Sequence, residues 1–136
     1  MPAFTIPGKP YAKKRPRFSR ATGRAYDPAG NAQAEDSIGT IAMRHFPQPI
    51  EGAVEVIIEA QFAPAASWSK KRRADAIGKP HTQKPDCDNL GKTVMDALNR
   101  IAWADDGQVA SVTIRKSWGA FDLTRVSITA APQEVA

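Results

Sequence analysis

Between Lys84 and Arg100 the chain reads KPDCDNLGKTVMDALNR, with Asp86 and Asp88 one residue apart, Lys92 four residues beyond the second, and Asp96 four beyond that. These residue types suit phosphoryl chemistry. Carboxylate oxygens hold hard divalent cations, and an ammonium group stabilises the negative charge that grows on an attacked phosphate. The plainer reading is a helix start, where an aspartate satisfies free backbone N–H groups and sits in the positive end of the helix dipole. That accounts for Asp88 and leaves Asp86, which follows Pro85 outside the helix. In an extended approach, residues i and i+2 point the same way. Asp86 and Asp88 would then project together with Cys87 turned away, and two adjacent carboxylates repel unless a cation lies between them. A metal explains the pair better than capping does. For Lys92 two readings stand: an exposed ladder Asp88–Lys92–Asp96–Arg100, worth about a few tenths of a kcal/mol per pair, or an ammonium beside a bound phosphate.

Asp105-Asp106-Gly107 is a turn signature by itself. One of its acids completes a three-carboxylate site only if the turn returns to the end of the sheet where Asp86 and Asp88 sit. Oxygen ligands without His or Cys select Mg²⁺ or Mn²⁺. A calcium loop is excluded, because Leu90 and Ala97 stand where an oxygen ligand and a bidentate Glu are needed. His45 and His81 are isolated and read as structural or solvent-facing. Cys87 lacks a neighbouring His to activate it as a nucleophile.

The surroundings of these acids are basic. Nineteen Lys+Arg against fourteen Asp+Glu give a net charge of +5. Lys9, Lys13, Lys14, Arg15, Arg17, Arg20 and Arg24 form one run without an acid, and Lys70, Lys71, Arg72 and Arg73 form another. This segregation points to a polyanion, above all nucleic acid, over two merely solvated loops. Acids repel DNA unless a divalent cation bridges carboxylate and phosphate, and that is the arrangement expected here. Tyr11, Phe18, Tyr26 and Trp68 lie among the cations, either to stack on unpaired bases or to pin the loops.

The elements that must position these residues follow from periodicity. The 136 residues suit one domain, 1–136, with its own core. A short strand is expected at Phe4–Ile6, then a basic loop over 9–30 with a loose hairpin around ATGR, then a helix over 34–46 stopped by Pro47. Alternation in AVEVIIEAQF predicts the clearest strand, 53–62. SWSKKRRADAI suggests a short basic helix within a basic insertion, 67–84. An amphipathic helix follows over about 89–101, with Leu90, Val94, Ala97, Leu98 and Ile101 on its buried side. QVASVTIRKSW and FDLTRVSITAA read as a final antiparallel hairpin, and 132–136 as a frayed tail. The expected fold is α+β in the order β-α-β-α-β-β, a mixed sheet with helices packed on one face. One cysteine fits a reducing, cytoplasmic setting. No run of about 18 apolar residues exists to span a membrane, and the N-terminus carries no export signal.

KPDCDNLGKTVMDALN followed by WADDGQV closely resembles the RusA family of Holliday junction resolvases, whose signature runs D-x-D-N-L-x-K-x-x-x-D-A-L and then D-D-x-x-V. IPGKPYAKKRPR and the later YDP resemble that family's opening, so the likeness covers most of residues 4 to 118. The resemblance implies an Mg²⁺-dependent endodeoxyribonuclease, with Mn²⁺ substituting, that makes paired symmetric nicks in four-way junctions during recombination and repair. Matched position by position, it implies Asp86, Asp88, Lys92 and Asp106 as the residues required for cleavage. Asp86, Asp88 and Asp106 would hold the metal, with Asp105 a candidate helper. Lys13, Lys14, Arg15, Arg17, Arg20 and Lys70–Arg73 would contact DNA phosphates. It also implies a homodimer, whose symmetry would mirror that of the junction. Many relatives in the family are carried by prophages. The competing readings are a non-catalytic basic DNA-binding protein, and a nuclease for another branched or single-stranded substrate.

Overall fold

The structure, a computed structural model, describes residues 2–131. The expected tail at 132–136 lies outside the described residues. The strand with the clearest alternation, β4 (Val54–Phe62), forms the middle of the fold. Its inward row, Val54, Val56, Ile58, Ala60 and Phe62, is at most 3% exposed. Around it lie β1 (Ala3–Pro7), β5 (Val109–Trp118) and β6 (Leu123–Ala130), in the order β1-β6-β4-β5. β6 is antiparallel to both β4 and β1, and β5 is parallel to β4, so the sheet is mixed.

The expected β5–β6 hairpin does not form, because β4 lies between the two strands. The link Gly119–Asp122 arches over the end of β4 and bonds to it. Gly119 N–H donates to Phe62 O (2.9 Å), Asp122 Oδ1 accepts from Ala63 N–H (2.8 Å), and Gln61 Nε2 donates to Phe121 O (2.7 Å). A central strand has N–H and C=O groups on both edges to satisfy, and two flanking strands do so. β5 reaches its parallel place by a crossover, the kind of connection parallel neighbours require. That crossover carries the short helix α2 (Lys70–Ala76) and the amphipathic helix α3 (Cys87–Leu98).

Helix α1 (Ala29–Met43) begins five residues earlier than its apolar spacing predicts, since its first turn is small and polar. α1 and α3 cover one face of the sheet. Ile38 and Ala42 meet Val94, Ala97 and Leu98 over Val56, Ile58, Val126 and Ile128 in a single cluster. Burying each such side chain contributes about 1.5–3 kcal/mol. The opposite face is mainly polar, with Ile57 and Leu123 upon it, and carries an exposed Arg125–Glu59 pair at 3.9 Å. α2 has no buried residue and stands apart. Between β1 and α1, the short strands β2 (Arg17–Phe18) and β3 (Ala25–Tyr26) make the expected small hairpin, with ATGR in its turn. Among the described residues no helix is long and apolar enough to cross a membrane.

Candidate active site

α3 starts two residues before the predicted position, and this changes how its acids are presented. Asp86, not Asp88, takes the N-cap position, with φ −74° and ψ 148° and no side-chain capping bond. Its carbonyl accepts from Leu90 N–H at 3.2 Å to close the first turn. Asp88 lies in that turn, where its Oδ1 accepts from Asn89 N–H at 3.0 Å. Cys87 is therefore helical, and its Sγ lies 3.9 Å from Ile114 O, toward the sheet. The expected extended pair is replaced by two exposed carboxylates at the positive end of one helix. Gly91 permits the close seat of α3 on β5, since a Cβ there would collide with the Ile114 side chain.

Lys92 stands one turn beyond Asp88 and is exposed. The ladder expected of it does not form, because Asp96 pairs with Lys13 at 2.6 Å; among the described residues no ion pair engages Lys92. Asp88, Asn89 and Lys92 line one side of a depression of about 500 Å³, and Lys13, Lys14 and Arg15 line the other, with Asp27. This brings together residues far apart in sequence.

The basic wall is held by a buried amide. Asn31, 1% exposed, accepts at Oδ1 from Tyr11 OH (2.8 Å) and Lys14 N–H (2.9 Å). Its Nδ2 donates to Lys14 O (2.8 Å) and Asp27 Oδ1 (3.1 Å). Lys13 N–H donates to Asn89 O at 3.0 Å, and its ammonium sits between Asp96 and Glu35. The Asp96 hydrogen bond, opposed by burial and helped by Glu35, raises the Lys13 pKa. Lys13 thus fastens the loop to α3, while Lys14, Arg15, Arg17 and Arg20 are exposed, and no carboxylate pairs with them among the described residues. Tyr11 likewise serves the clamp, whereas Phe18 (67% exposed) and Tyr26 (49%) stand free on the hairpin. Sequence reading missed Asp27 and Asn31. The only signal was the YDP motif, with Asn31 four residues after its aspartate.

Asp105 and Asp106 lie elsewhere. α3 carries the chain about 20 Å from Asp86 to Asn99, at about 1.5 Å per residue. Ala102 then bonds back to Ile50, and Gln108 Nε2 donates to Ile50 O and Gly52 O beside the start of β4. Asp105 caps the 3₁₀ turn Asp106–Gln108, accepting from Gly107 N–H at 3.0 Å within a capping box closed by Gln108. Asp106 Oδ1 accepts from the indole N–H of buried Trp103 at 2.9 Å. The helix and turn therefore carry these acids away from Asp86 and Asp88, and no group of three metal-binding side chains gathers among the described residues. One chain by itself does not fit a three-carboxylate metal site.

The second basic cluster, Lys70–Arg73 on α2, sits by the Trp118 end of β5, with Arg72 over the ring of Trp68. Asp88 and Lys92 thus face Lys14 and Arg15 across one depression, a setting suited to a phosphate group. Residues 7–129 match the family described as Endodeoxyribonuclease RusA, and the chain belongs to that family. It is accordingly an endonuclease of the kind that resolves Holliday junctions, and the family's enzymes depend on divalent metal. The chain is also similar to YqaN, an uncharacterized protein of Bacillus subtilis (strain 168). The two are 33% identical over 120 residues, covering 83% of this chain and 84% of that one.

Proposed function

We propose that the protein is a homodimeric, Mg²⁺-dependent resolvase of the cytoplasm that nicks four-way DNA junctions in pairs during recombination and repair. The observation that carries this reading is the single depression lined by Asp88 and Lys92 on α3 and by Lys14 and Arg15 on the clamped loop. Cations on one wall would hold the DNA backbone. Lys92 would stabilise the charge that grows on the scissile phosphate. Asp86 and Asp88, exposed and at a helix N-terminus, would hold the cation, which supplies charge neutralisation at the phosphate.

Because α3 carries the chain about 20 Å from Asp86 before the turn that holds Asp106, and no three carboxylates gather within one chain among the described residues, the part of Asp106 in this site would come from a second copy of the chain. The metal would then be held by Asp86 and Asp88 of one chain and Asp106 of the other, with Asp105 fixing the turn that presents it. A C2 dimer would contain two such sites.

The test is cleavage of a synthetic four-way junction and a matched linear duplex, with Mg²⁺ or EDTA, beside Asp88→Asn. The expected result is symmetric nicks in the junction alone, lost with EDTA and in a variant that still binds. Equal cutting by Asp88→Asn would remove the site from this end of α3.

A further inference from the structure

The 67–84 insertion builds a second cavity, beside the acids and distinct from the depression they line. At the far ends of β4 and β5 four aromatic rings meet. Phe62 stacks on His81 with centroids 4.2 Å apart, His81 meets Trp118 at 4.3 Å, and Trp118 meets Trp68 at 5.1 Å. The Arg72 guanidinium lies 3.7 Å from the centre of the Trp68 ring. These rings, with Lys9 and Lys84, line an opening of about 310 Å³, within the range of about 300–1,000 Å³ typical of small-molecule sites.

Two features separate this cavity from a patch of ordinary core. The first is His81, which is 6% exposed and whose buried Nδ1 has no hydrogen-bond partner among the described residues. Its ring packs against both Phe62 and Trp118, so it forms a fixed part of the cavity wall. Burial first, and then Lys116, hold its imidazole below the usual range and hence neutral at pH 7. The second is charge. Lys9, Arg72 and Lys84 face one acid on the lining, Asp122, whose Oδ1 is already engaged by Ala63 N–H at 2.8 Å. An apolar side chain from a protein partner would need the rings and not the cations. A nucleotide needs both, because its base stacks on indole and its phosphate pairs with Arg and Lys.

Position supplies the rest. Gln83 and Lys84 line the cavity, and Asp86, the N-cap of α3, follows Lys84 by two residues. Lys116 Nζ donates to the carbonyls of both Gln83 and Pro85, which fixes this link.

We propose that the cavity holds one unstacked nucleotide of the DNA strand beside the bond that is cut, with its base against Trp68 and its phosphate between Arg72 and Lys84. The assignment rests on the reading of Asp86, Asp88 and Lys92 as the cleavage site. Arg72, already seated on an indole face, can close over a stacked base in the same way.

The test uses four-way junctions with 2-aminopurine, or an abasic site, at successive positions around the nick, with Mg²⁺ withheld so that only binding is read. At one position the wild type should unstack 2-aminopurine and bind the abasic junction roughly 5- to 100-fold more weakly. Trp68→Ala should lose both effects and Trp68→Phe should recover most of the discrimination. Arg72→Ala, on the exposed surface of α2, should weaken binding with the fold intact. Equal wild-type affinity for every abasic junction overturns the proposal. So does binding of a deoxynucleoside monophosphate through Trp68 with no response to DNA, which would mark a free-nucleotide site. If the aminopurine response is absent while Asp88→Asn is inactive, the pocket alone is overturned. If it is present while Asp88→Asn cuts normally, the cleavage-site reading fails, and with it the placement beside the cut bond.

Discussion

The two ends of α3 carry the same raw material and use it differently. At the N-terminal end, Asp86 makes no side-chain capping bond, Asp88 accepts from its neighbour's N–H, and Lys92 has no ion pair among the described residues. At the C-terminal end, Asp105 is committed to a capping box and Asp106 to the Trp103 indole. Asp105 holds up its turn and is difficult to replace without a cost in stability, whereas Asp106 spends only Oδ1 on the indole, and Oδ2 is the oxygen that the proposed shared site would use. Asp88, exposed at a helix start and facing Lys14 and Arg15 across a depression, is available for chemistry. Mutation should separate the two ends.

The largest effect is expected from the free end. Asp88→Asn should lower junction cleavage by about 10²–10⁴-fold, while stability, read by denaturant midpoint, stays within about 0.5 kcal/mol as for other exposed sites. Lys92→Ala should cost about 10²–10³-fold in rate and leave duplex affinity nearly unchanged. A loss of stability in either variant would mean that this end is structural after all.

Next is the seat of the helix. Gly91→Ala forces a methyl into Ile114 and should destabilise the fold by about 1–3 kcal/mol. Ile114→Val in the same chain should recover part of that loss. At the committed end, Asp105→Ala removes the acceptor for Gly107 N–H and should cost about 1 kcal/mol, measured as a lower Tm.

The smallest effect concerns His81. Its folded-state pKa is depressed, chiefly by burial, from 6.5. Below the unfolded value the unfolded chain takes up a proton that the folded chain resists. Stability should therefore hold above about pH 6.5 and fall as pH drops toward the depressed folded value. His81→Phe should flatten that slope in denaturant midpoints measured across this window.

Much of this was legible from residues alone. Strict alternation announced β4, and the spacing of Leu90, Val94, Ala97 and Leu98 announced α3, because burial on one face imposes those periods. The Asp86–Asp88–Lys92 group stood out by type and spacing. The clamp did not, because Asn31 acts through contacts with Tyr11, Lys14 and Asp27 that carry no period. The parallel place of β5 was hidden for a similar reason: adjacency in sequence suggested a hairpin, while the two edges of central β4 demanded both partners. The distance to Asp106 could have been foreseen. A helix of twelve residues must end about 18 Å from where it starts, and Asp106 precedes the strand that runs back.

That distance leads to the most direct test of a site divided between two chains. Asp86→Asn and Asp106→Asn, each inactive alone, are mixed, allowed to exchange subunits, and assayed on a four-way junction. In a mixed dimer one shared site would lack both acids and the other would keep both. Half the dimers, each with one intact site of two, should therefore restore about a quarter of wild-type nicking. No recovery after demonstrated exchange would contradict the account, since sites built within single chains would stay broken in every dimer.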